Sequence, residues 1–597
     1  MTEKEIVWDL SVLFSDLNDP NIFKTMGRFE SEAIQFVSDY KRKINPEDFN
    51  ADNLNELLKK LEEFWANVDD LDLFCERSFD AHMTLPETKT LHNKYEDFIT
   101  QIFKKLAFFD LEIGKLVFEN NNLISHPILS NYKHYLEKVY RAYPHTLSEI
   151  EEQLILEKDQ YGVKAWSQLQ GAWLNTREFK VSVEGEEKIL SYGEANSLFV
   201  HPDRSTRISA NKSIYSLLGK DEEIFSSALR NICGNWVKNS ERRKFENPMH
   251  SSFIANDTTQ EIINRLMKTI EENVEVYQRH LKLKAKLLKL PKLSSADVMA
   301  PLLDVTNMKY TWDEAKTLIL EALGEFEEKF AGYAKDMFDK DRIDAQVRKG
   351  KRNGAYCASW FNGKSAFILM SFQGTIRELF TLTHELGHAI HDYLTTRQQT
   401  YFNLHPGAAG AETASTFAEL LMTDLLLKKA ETDEEKMAIL AYVLDGAGQA
   451  AFQVSARFWF ETSLYKAIKN GTNLDGKTIS KYWCAGRDKI YGESVEWFEE
   501  MDWEWCMKGH YFIPNFRYYN YPYVYAQLFV YALYRIYKNE GSSFVPKFKK
   551  LLSSGGSLSP KELAEIVGFD ISKPDFWKLG INQYTEFVDE LEKLVKK

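Results

Sequence analysis

The chain has 597 residues, 44 % of them hydrophobic and 27 % charged, a balance that excludes a disordered or fibrous polypeptide. Its 75 basic and 88 acidic side chains leave a net charge of −13, which excludes a phosphate-backbone binder of the kind that needs an electropositive face. Five scattered cysteines (Cys75, Cys233, Cys357, Cys484 and Cys506) contain no CxxC pair and exclude a disulfide framework or a thiolate zinc site. They suit a reducing compartment, so a cytoplasmic globular protein with no nucleic-acid partner is expected.

The opening residues Met1-Thr2-Glu3-Lys4-Glu5 lead into no apolar stretch, and no signal peptide is expected. Most of the chain reads as helix. Leu54, Leu57, Leu58, Leu61, Phe64 and Trp65 recur at i, i+3, i+4 and i+7, with Lys and Glu on the opposite face. Ser148 followed by Glu151 has the spacing of a capping box and predicts a helix start. Phe179, Val181 and Val183 alternate with polar residues, Glu184-Gly185 offers a turn, and Lys188-Ile189-Leu190 continues the hairpin. A domain boundary is placed just after it, giving an N-terminal helical domain, 1–195, and a second domain, 196–597. Residues 356–361 and 366–372, flanked by Gly354 and Gly363, predict a small antiparallel sheet. The second of these segments is expected to offer an exposed edge to an extended peptide. The apolar stretch from Met437 to Phe460 is interrupted by Asp445, Gln449, Gln453 and Arg457, so no membrane span is expected there. No internal repeat and no low-complexity tract is present.

The sharpest signal comes directly after the predicted sheet. His384-Glu385-Leu386-Gly387-His388 is an HExxH sequence on an apolar helix containing Phe380, Leu382, Ala389 and Ile390. Residues four apart on an α-helix lie about 40° apart around the axis, so both imidazoles share one face. Two neutral nitrogens presented this way can hold zinc, while Glu385, about 100° from His384, sits beside the metal as a base. Two hydrogen-bonded core histidines are the alternative. A third ligand would weigh against it, and Glu412 is the best candidate: the small residues Gly407, Ala408, Ala409, Gly410 and Ala411 let a second helix approach, and the carboxylate would complete His₂Glu with a fourth position for water. Thr416 and Glu419 share its face and can hydrogen-bond the histidines. His391 and His405 are read as structural.

The 23 residues between His388 and Glu412 exceed the spacing in thermolysin-type zincins. They are similar to the spacing in the thimet oligopeptidase and oligoendopeptidase F family and in angiotensin-converting-enzyme-like dipeptidases. Further segments decide between these. Trp8-Asp9-Leu10-Ser11 with Leu13-Phe14, Thr381-Leu382-Thr383 before the HExxH, Ala411-Glu412-Thr413-Ala414-Ser415-Thr416-Phe417-Ala418-Glu419, Gly555-Gly556-Ser557-Leu558-Ser559-Pro560 and Pro574-Asp575-Phe576-Trp577 resemble oligoendopeptidase F proteins along almost the whole chain. The resemblance implies a mainly α, two-lobed, zincin-like metallopeptidase enclosing a deep channel, with one zinc ion per chain. It also implies oligopeptide substrates and no membrane partner.

Six of the sixteen residues from His510 to Tyr525 are tyrosines. Tyrosine clusters fill cores, but attack on a peptide carbonyl also calls for donors to an oxyanion. The resembled family has a histidine and tyrosines after the zinc helices that contact substrate and oxyanion. His510 matches that histidine by position, and Tyr518 and Tyr525 match the seven-residue spacing of the tyrosines. The reading that results is a zinc endopeptidase of short oligopeptides, with His384, His388 and Glu412 on the metal and Glu385 as general base. A zinc carboxypeptidase or dipeptidase is the alternative, with Arg517 as the cation for a substrate carboxylate. A noncatalytic helical peptide-binding protein is the third reading.

Overall fold

Helices dominate because their apolar stripes are long and their ends are capped. Leu54, Leu57, Leu58 and Leu61 line one face of the Ala51–Ala81 helix and are at most 3 % exposed. Asn50 accepts from the Asn53 amide and Asn53 returns the bond, which fixes the start of that helix. Ser148 and Glu151 form the expected capping box at the head of the Glu149–Tyr161 helix. The computed structural model describes residues 5–47, 49–302 and 308–596. Met1, Thr2, Glu3 and Lys4, where no signal peptide is expected, lie outside the described residues.

Strands are few and short. They are β1 (Glu178–Val183), β2 (Glu186–Ser191), β3 (Leu293–Ser294), β4 (Ile343–Asp344), β5 (Tyr356–Trp360), β6 (Ser365–Leu369) and β7 (Val495–Glu496). β1 and β2 make the expected hairpin, with Val183 opposite Glu186. Glu184 and Gly185 take φ of 53° and 90°, the left-handed pair that a two-residue hairpin turn requires.

Contacts divide the chain into two compact units, each assembled from three segments. The first gathers Met1–Thr146, Met308–Leu425 and Ile536–Asp570; the second gathers Leu147–Asn307, Leu426–Arg535 and Ile571–Lys597. Both units are mainly helical, as expected.

In the first unit the sheet has the order β4-β6-β5. β5 and β6 are antiparallel, but β4 joins β6 in parallel, so the sheet is mixed where an antiparallel one was expected. β6 is therefore the central strand and not an exposed edge, which corrects the expectation for residues 366–372. Ala366, Phe367, Ile368 and Leu369 are all fully buried, and a run without polar alternation is the mark of a strand covered on both faces. Among the described residues β5 has no second partner strand, so the open edge is β5. The long Ala51–Ala81 helix holds it in place: Tyr356 donates to Asp80 at 2.6 Å and Trp360 Nε1 to Asp70 at 2.8 Å. The N-terminal segment is tied to the same sheet. Trp8 lies edge-on to Phe367 at 6.3 Å, and the Ala345 amide donates to the Ile6 carbonyl at 2.9 Å.

In the second unit, Tyr277 stacks on Phe452 at 5.2 Å, with Tyr584 against the same ring at 5.3 Å. Phe452 belongs to Asp433–Lys469, the stretch among the described residues that is long and apolar enough to cross a membrane by length and composition. Half of its most apolar window is buried inside the protein, and its Asp445 pairs with Lys284 at 2.6 Å.

Asp297 is the electrostatic anchor of this unit. It is fully buried and receives Arg204 at 2.8 Å, Arg207 at 3.0 Å and the Ser294 hydroxyl at 2.6 Å. Burial alone would raise its carboxyl, but the bonds from Arg204, Ser294 and Arg207 hold it at about 2. A depressed carboxyl adds stability above its unfolded value and loses it as pH falls through the folded one. Asp297→Asn should therefore cost about 3–5 kcal/mol at pH 7, because two guanidinium groups lose their partner. In circular dichroism melts the gap to the parent protein should narrow as pH drops from 4 towards 2; a gap independent of pH would disprove the assignment.

Candidate metal centre

The HExxH sequence occupies the middle of the Ile376–Gln398 helix, begun by a capping box between Thr375 and Glu378. Leu379, Leu382, Leu386 and Ile390 bury one side of it, which leaves His384 and His388 on the side facing a cavity. The second element is broken at the useful place. A short turn of helix, Ala408–Ala411, ends at Glu412, and a new helix runs from Thr413 to Lys429. At the crossing of the two helices a Cβ on Gly387 would stand 2.5 Å from the Ser415 Cα and 2.7 Å from the Ala414 carbonyl. Only glycine permits that approach.

The geometry that results is tight. His384 Nε2 lies 3.2 Å from His388 Nε2 and 3.2 Å from Glu412 Oε2, and His388 Nε2 lies 3.5 Å from the same oxygen. Ligands about 2.0–2.1 Å from a tetrahedral ion stand about 3.3 Å apart, so these three atoms have the spacing of one face of a metal tetrahedron. On the far side of the ring, His384 Nδ1 meets Glu419 Oε1 at 2.5 Å, which leaves Nε2 to face the cluster. Ser415 Oγ donates to Glu412 Oε2 at 2.9 Å. Sequence reasoning expected Thr416 and Glu419 to bond the histidines; Glu419 does so, and the hydroxyl that meets the carboxylate is that of Ser415.

The electrostatics ask for a cation. Burial lowers the His384 imidazolium, yet the bonds from Glu412 and Glu419 raise it to about 10. Burial, followed by the positive charge of His384, takes His388 down to about 4. Glu412 is held at about 2, the histidines outweighing its burial. Glu385, 6 % exposed, is pushed up to about 7 by burial and by the charges of Glu412 and Glu419, against the pull of His384. His384 thus gathers positive charge between two carboxylates, at a place that a divalent ion would suit.

The cavity beside it has a volume of about 380 Å³. One wall is β5, through Tyr356, Cys357 and Ser359; the other includes Glu385, Asp392 and His405. Sequence reasoning missed Asp392, which burial raises to about 7, although it lies four residues after His388 on the same helical stripe. His391, read as structural, is buried and pushed to about 3 by that burial. A further trio, Glu76, His92 and Glu96, also brings donor atoms within 4.8 Å of one another, but Glu96 is exposed.

His510, Tyr518 and Tyr525 belong to the second unit. His510 sits in a short turn, Gly509–Phe512, half-buried, its ring 5.9 Å from that of Tyr519. Tyr518 is buried between Phe458 and Tyr465, with its amide bonded to Glu461 at 2.9 Å. Tyr525 is 2 % exposed, packed on Phe529 and Trp577, and its hydroxyl has no hydrogen-bond partner. The seven-residue spacing thus selects two interior rings. Tyr519 and Tyr523 are more open, their hydroxyls touching each other. Arg517, proposed as a cation for a substrate carboxylate, is buried and donates to the carbonyls of His510, Tyr511 and Ile513. Its Nη2 holds the turn, while its Nε and Nη1 are buried with no hydrogen-bond partner among the described residues.

The family profile of Peptidase family M3 matches residues 197–582, and that of Oligopeptidase F matches residues 119–176. Oligopeptidase PepF of Bacillus subtilis is 26 % identical over 573 residues, covering 95 % of this chain and 84 % of that protein. Group B oligopeptidase PepB of Streptococcus agalactiae is 26 % identical over 604 residues, covering 100 % of this chain and 98 % of its own. Among solved structures, a Chlamydophila abortus crystal structure superposes with a TM-score of 0.85 at 20 % identity, covering 99 % of this chain and 98 % of that one. The crystal structure of oligoendopeptidase-F from Enterococcus faecium gives 0.69 at 20 % identity, covering 96 % and 99 %. These structural likenesses establish the mainly α fold. With the profile spanning well over half of its length, the chain belongs to Peptidase family M3, and it is a peptidase.

Proposed function

We propose that the protein is a zinc endopeptidase that cuts internal bonds of short oligopeptides. The observation that carries this reading is the convergence of His384, His388 and Glu412, three donors spaced as one face of a tetrahedron with the fourth direction open to the cavity. Two imidazoles and a carboxylate are a ligand set that suits a single zinc ion per chain. Bound there, the metal supplies Lewis-acid polarisation of the scissile carbonyl and acidifies the attacking water.

Glu385 takes a proton from that water and hands it to the leaving amine. Its burial raises the carboxyl towards 7 in the metal-free site, and a nearby dication would lower it again, which favours the carboxylate that a base must be. Glu419 holds His384 Nδ1 and so directs Nε2 to the metal. The open edge of β5, on the cavity wall, offers backbone groups to an extended peptide, which gives affinity with little demand on side chains. The relatives called oligoendopeptidase F and oligopeptidase support this substrate class. A division into 1–195 and 196–597 belongs to the same reading and is supported by the start of the M3 profile at residue 197. A cytoplasmic location rests on the five scattered cysteines.

The resemblance assigns oxyanion donation to His510, Tyr518 and Tyr525. Burial of the last two favours Tyr519, beside His510, as the hydroxyl that reaches a substrate.

Three measurements test the proposal. Mass spectrometry of a peptide pool should find internal cuts that disappear with a chelator, and Glu385→Gln should slow them by about 10²–10⁴-fold; trimming from the C-terminus alone would refute the endopeptidase reading. Glu419→Gln should weaken zinc binding by about 10–100-fold in a competition titration, and unchanged affinity would remove its orienting role. Tyr519→Phe should lower kcat by about 10²-fold with little change in KM. Should Tyr525→Phe do this instead, the resemblance-based assignment would hold and the one made from burial would fall.

A further inference from the structure

The second unit contains a cavity of about 500 Å³ that the proposed peptidase chemistry does not use. Small-molecule sites run from roughly 300 to 1,000 Å³, so the space is of the right size. Trp483, Trp497, Met299, Met501 and Met507 give it a flat and polarisable apolar lining. Gln449 and Gln453 reach it from the two ends of a π-helical turn, Gln449–Gln453, a local widening found mostly at functional sites.

Its charges are unevenly paired: three cations meet three carboxylates, but two of the acids go to one arginine. Lys508 is paired with Glu504 at 2.7 Å. Arg487 is held by Asp488 at 3.0 Å and Asp502 at 3.3 Å, and its guanidinium lies 4.5 Å from the Trp497 ring centre. Arg457 lines the same cavity and, among the described residues, has no carboxylate within 4.0 Å. Ser295, Trp483 and Trp497, also on the lining, each keep a hydrogen-bond donor with no partner, and the first two are only 6 % exposed. Arg457 also acts on its neighbourhood: burial first, then the charges of Arg457, Lys508 and Arg517, push His510 down to about 3.

We propose that this cavity is a second binding site, for a small organic anion consisting of a carboxylate on a flat apolar body. The carboxylate meets Arg457, which feels Glu504 across the cavity but has no ion-pair contact of its own among the described residues. The apolar body lies against Trp483, Trp497 and the methionines. Two sources carry this chemistry: a free carboxylic acid, or the C-terminal residue of a peptide.

Isothermal titration calorimetry on the full chain separates them, with indole-3-propionate as the free acid, Gly-Trp as the peptide terminus and indole-3-propionamide as the uncharged control. Expected are one bound acid per chain, at least tenfold weaker binding of the amide, and at least tenfold weaker binding to Arg457→Gln. Arg457→Lys should restore part of the affinity. Preference for Gly-Trp over the free acid would make the occupant a peptide end, and the reverse would make it a metabolite. A carboxylate that bound only at the metal centre would bind the parent protein and Arg457→Gln equally, and that result overturns the proposal. Absence of binding by both acids overturns it as well. Circular dichroism melts of Arg457→Gln, Arg457→Lys and a Trp483→Phe variant check the fold, and the assay reads binding alone, so failure of the peptidase reading would leave it intact.

Discussion

The centre in the first unit depends on one steric condition, the absence of a side chain at residue 387. Helices ordinarily pack with axes 8–10 Å apart, set by the side chains between them. At Gly387 no such side chain exists, and the backbone of Ala414 and Ser415 comes to distances that no Cβ would tolerate. That approach places Glu412, at the break just before the second helix, within 3.5 Å of both imidazole nitrogens. It also brings Glu419 to the back of the His384 ring. The three candidate donors, the carboxylate behind them and the hydroxyl on Glu412 all come from two segments that must touch.

The same closeness creates an electrostatic problem that the fold leaves unsolved. Glu412, Glu419 and the buried Glu385 crowd around two half-buried histidines, and like charges this close are costly unless neutralised. In the metal-free chain, protonation of His384 partly answers this. A dication held there would answer it more completely, because it would neutralise Glu412 while leaving both imidazoles uncharged. A local conflict of this kind is what a functional site looks like when the rest of the chain is well satisfied.

Much of this is legible in the sequence wherever a short-range period carries the information. HExxH fixes the relation of His384, Glu385 and His388 through helix geometry alone. Ser148 with Glu151 marks a helix start, and Glu184-Gly185 marks a hairpin turn, for equally local reasons. Where distant segments decide, the pattern falls silent. β4 has two residues, too few for any alternation, yet its pairing makes β6 a central strand and moves the open edge to β5. Counting seven residues from Tyr518 to Tyr525 finds two tyrosines whose rings the second unit buries among Phe458, Tyr465, Phe529 and Trp577. Arg517 looks like a free cation in the sequence, and only the folded turn around it reveals the three carbonyls it holds.

Net charge is the most misleading of the global quantities here. At −13 the chain as a whole repels anions. Yet interaction energies between charges fall off within about 8–10 Å at ordinary salt, so a buried cavity responds to its own lining and hardly to the sum over the surface. By that measure the two units carry opposite local chemistry. Around His384 the surplus is of carboxylates, and the species that relieves it is a cation. Around Arg457 the contacts of the nearby acids go to Lys508 and Arg487, which leaves one guanidinium without an ion-pair contact among the described residues. The missing partner there is an anion, and the aromatic and thioether lining fixes what kind of body that anion can carry.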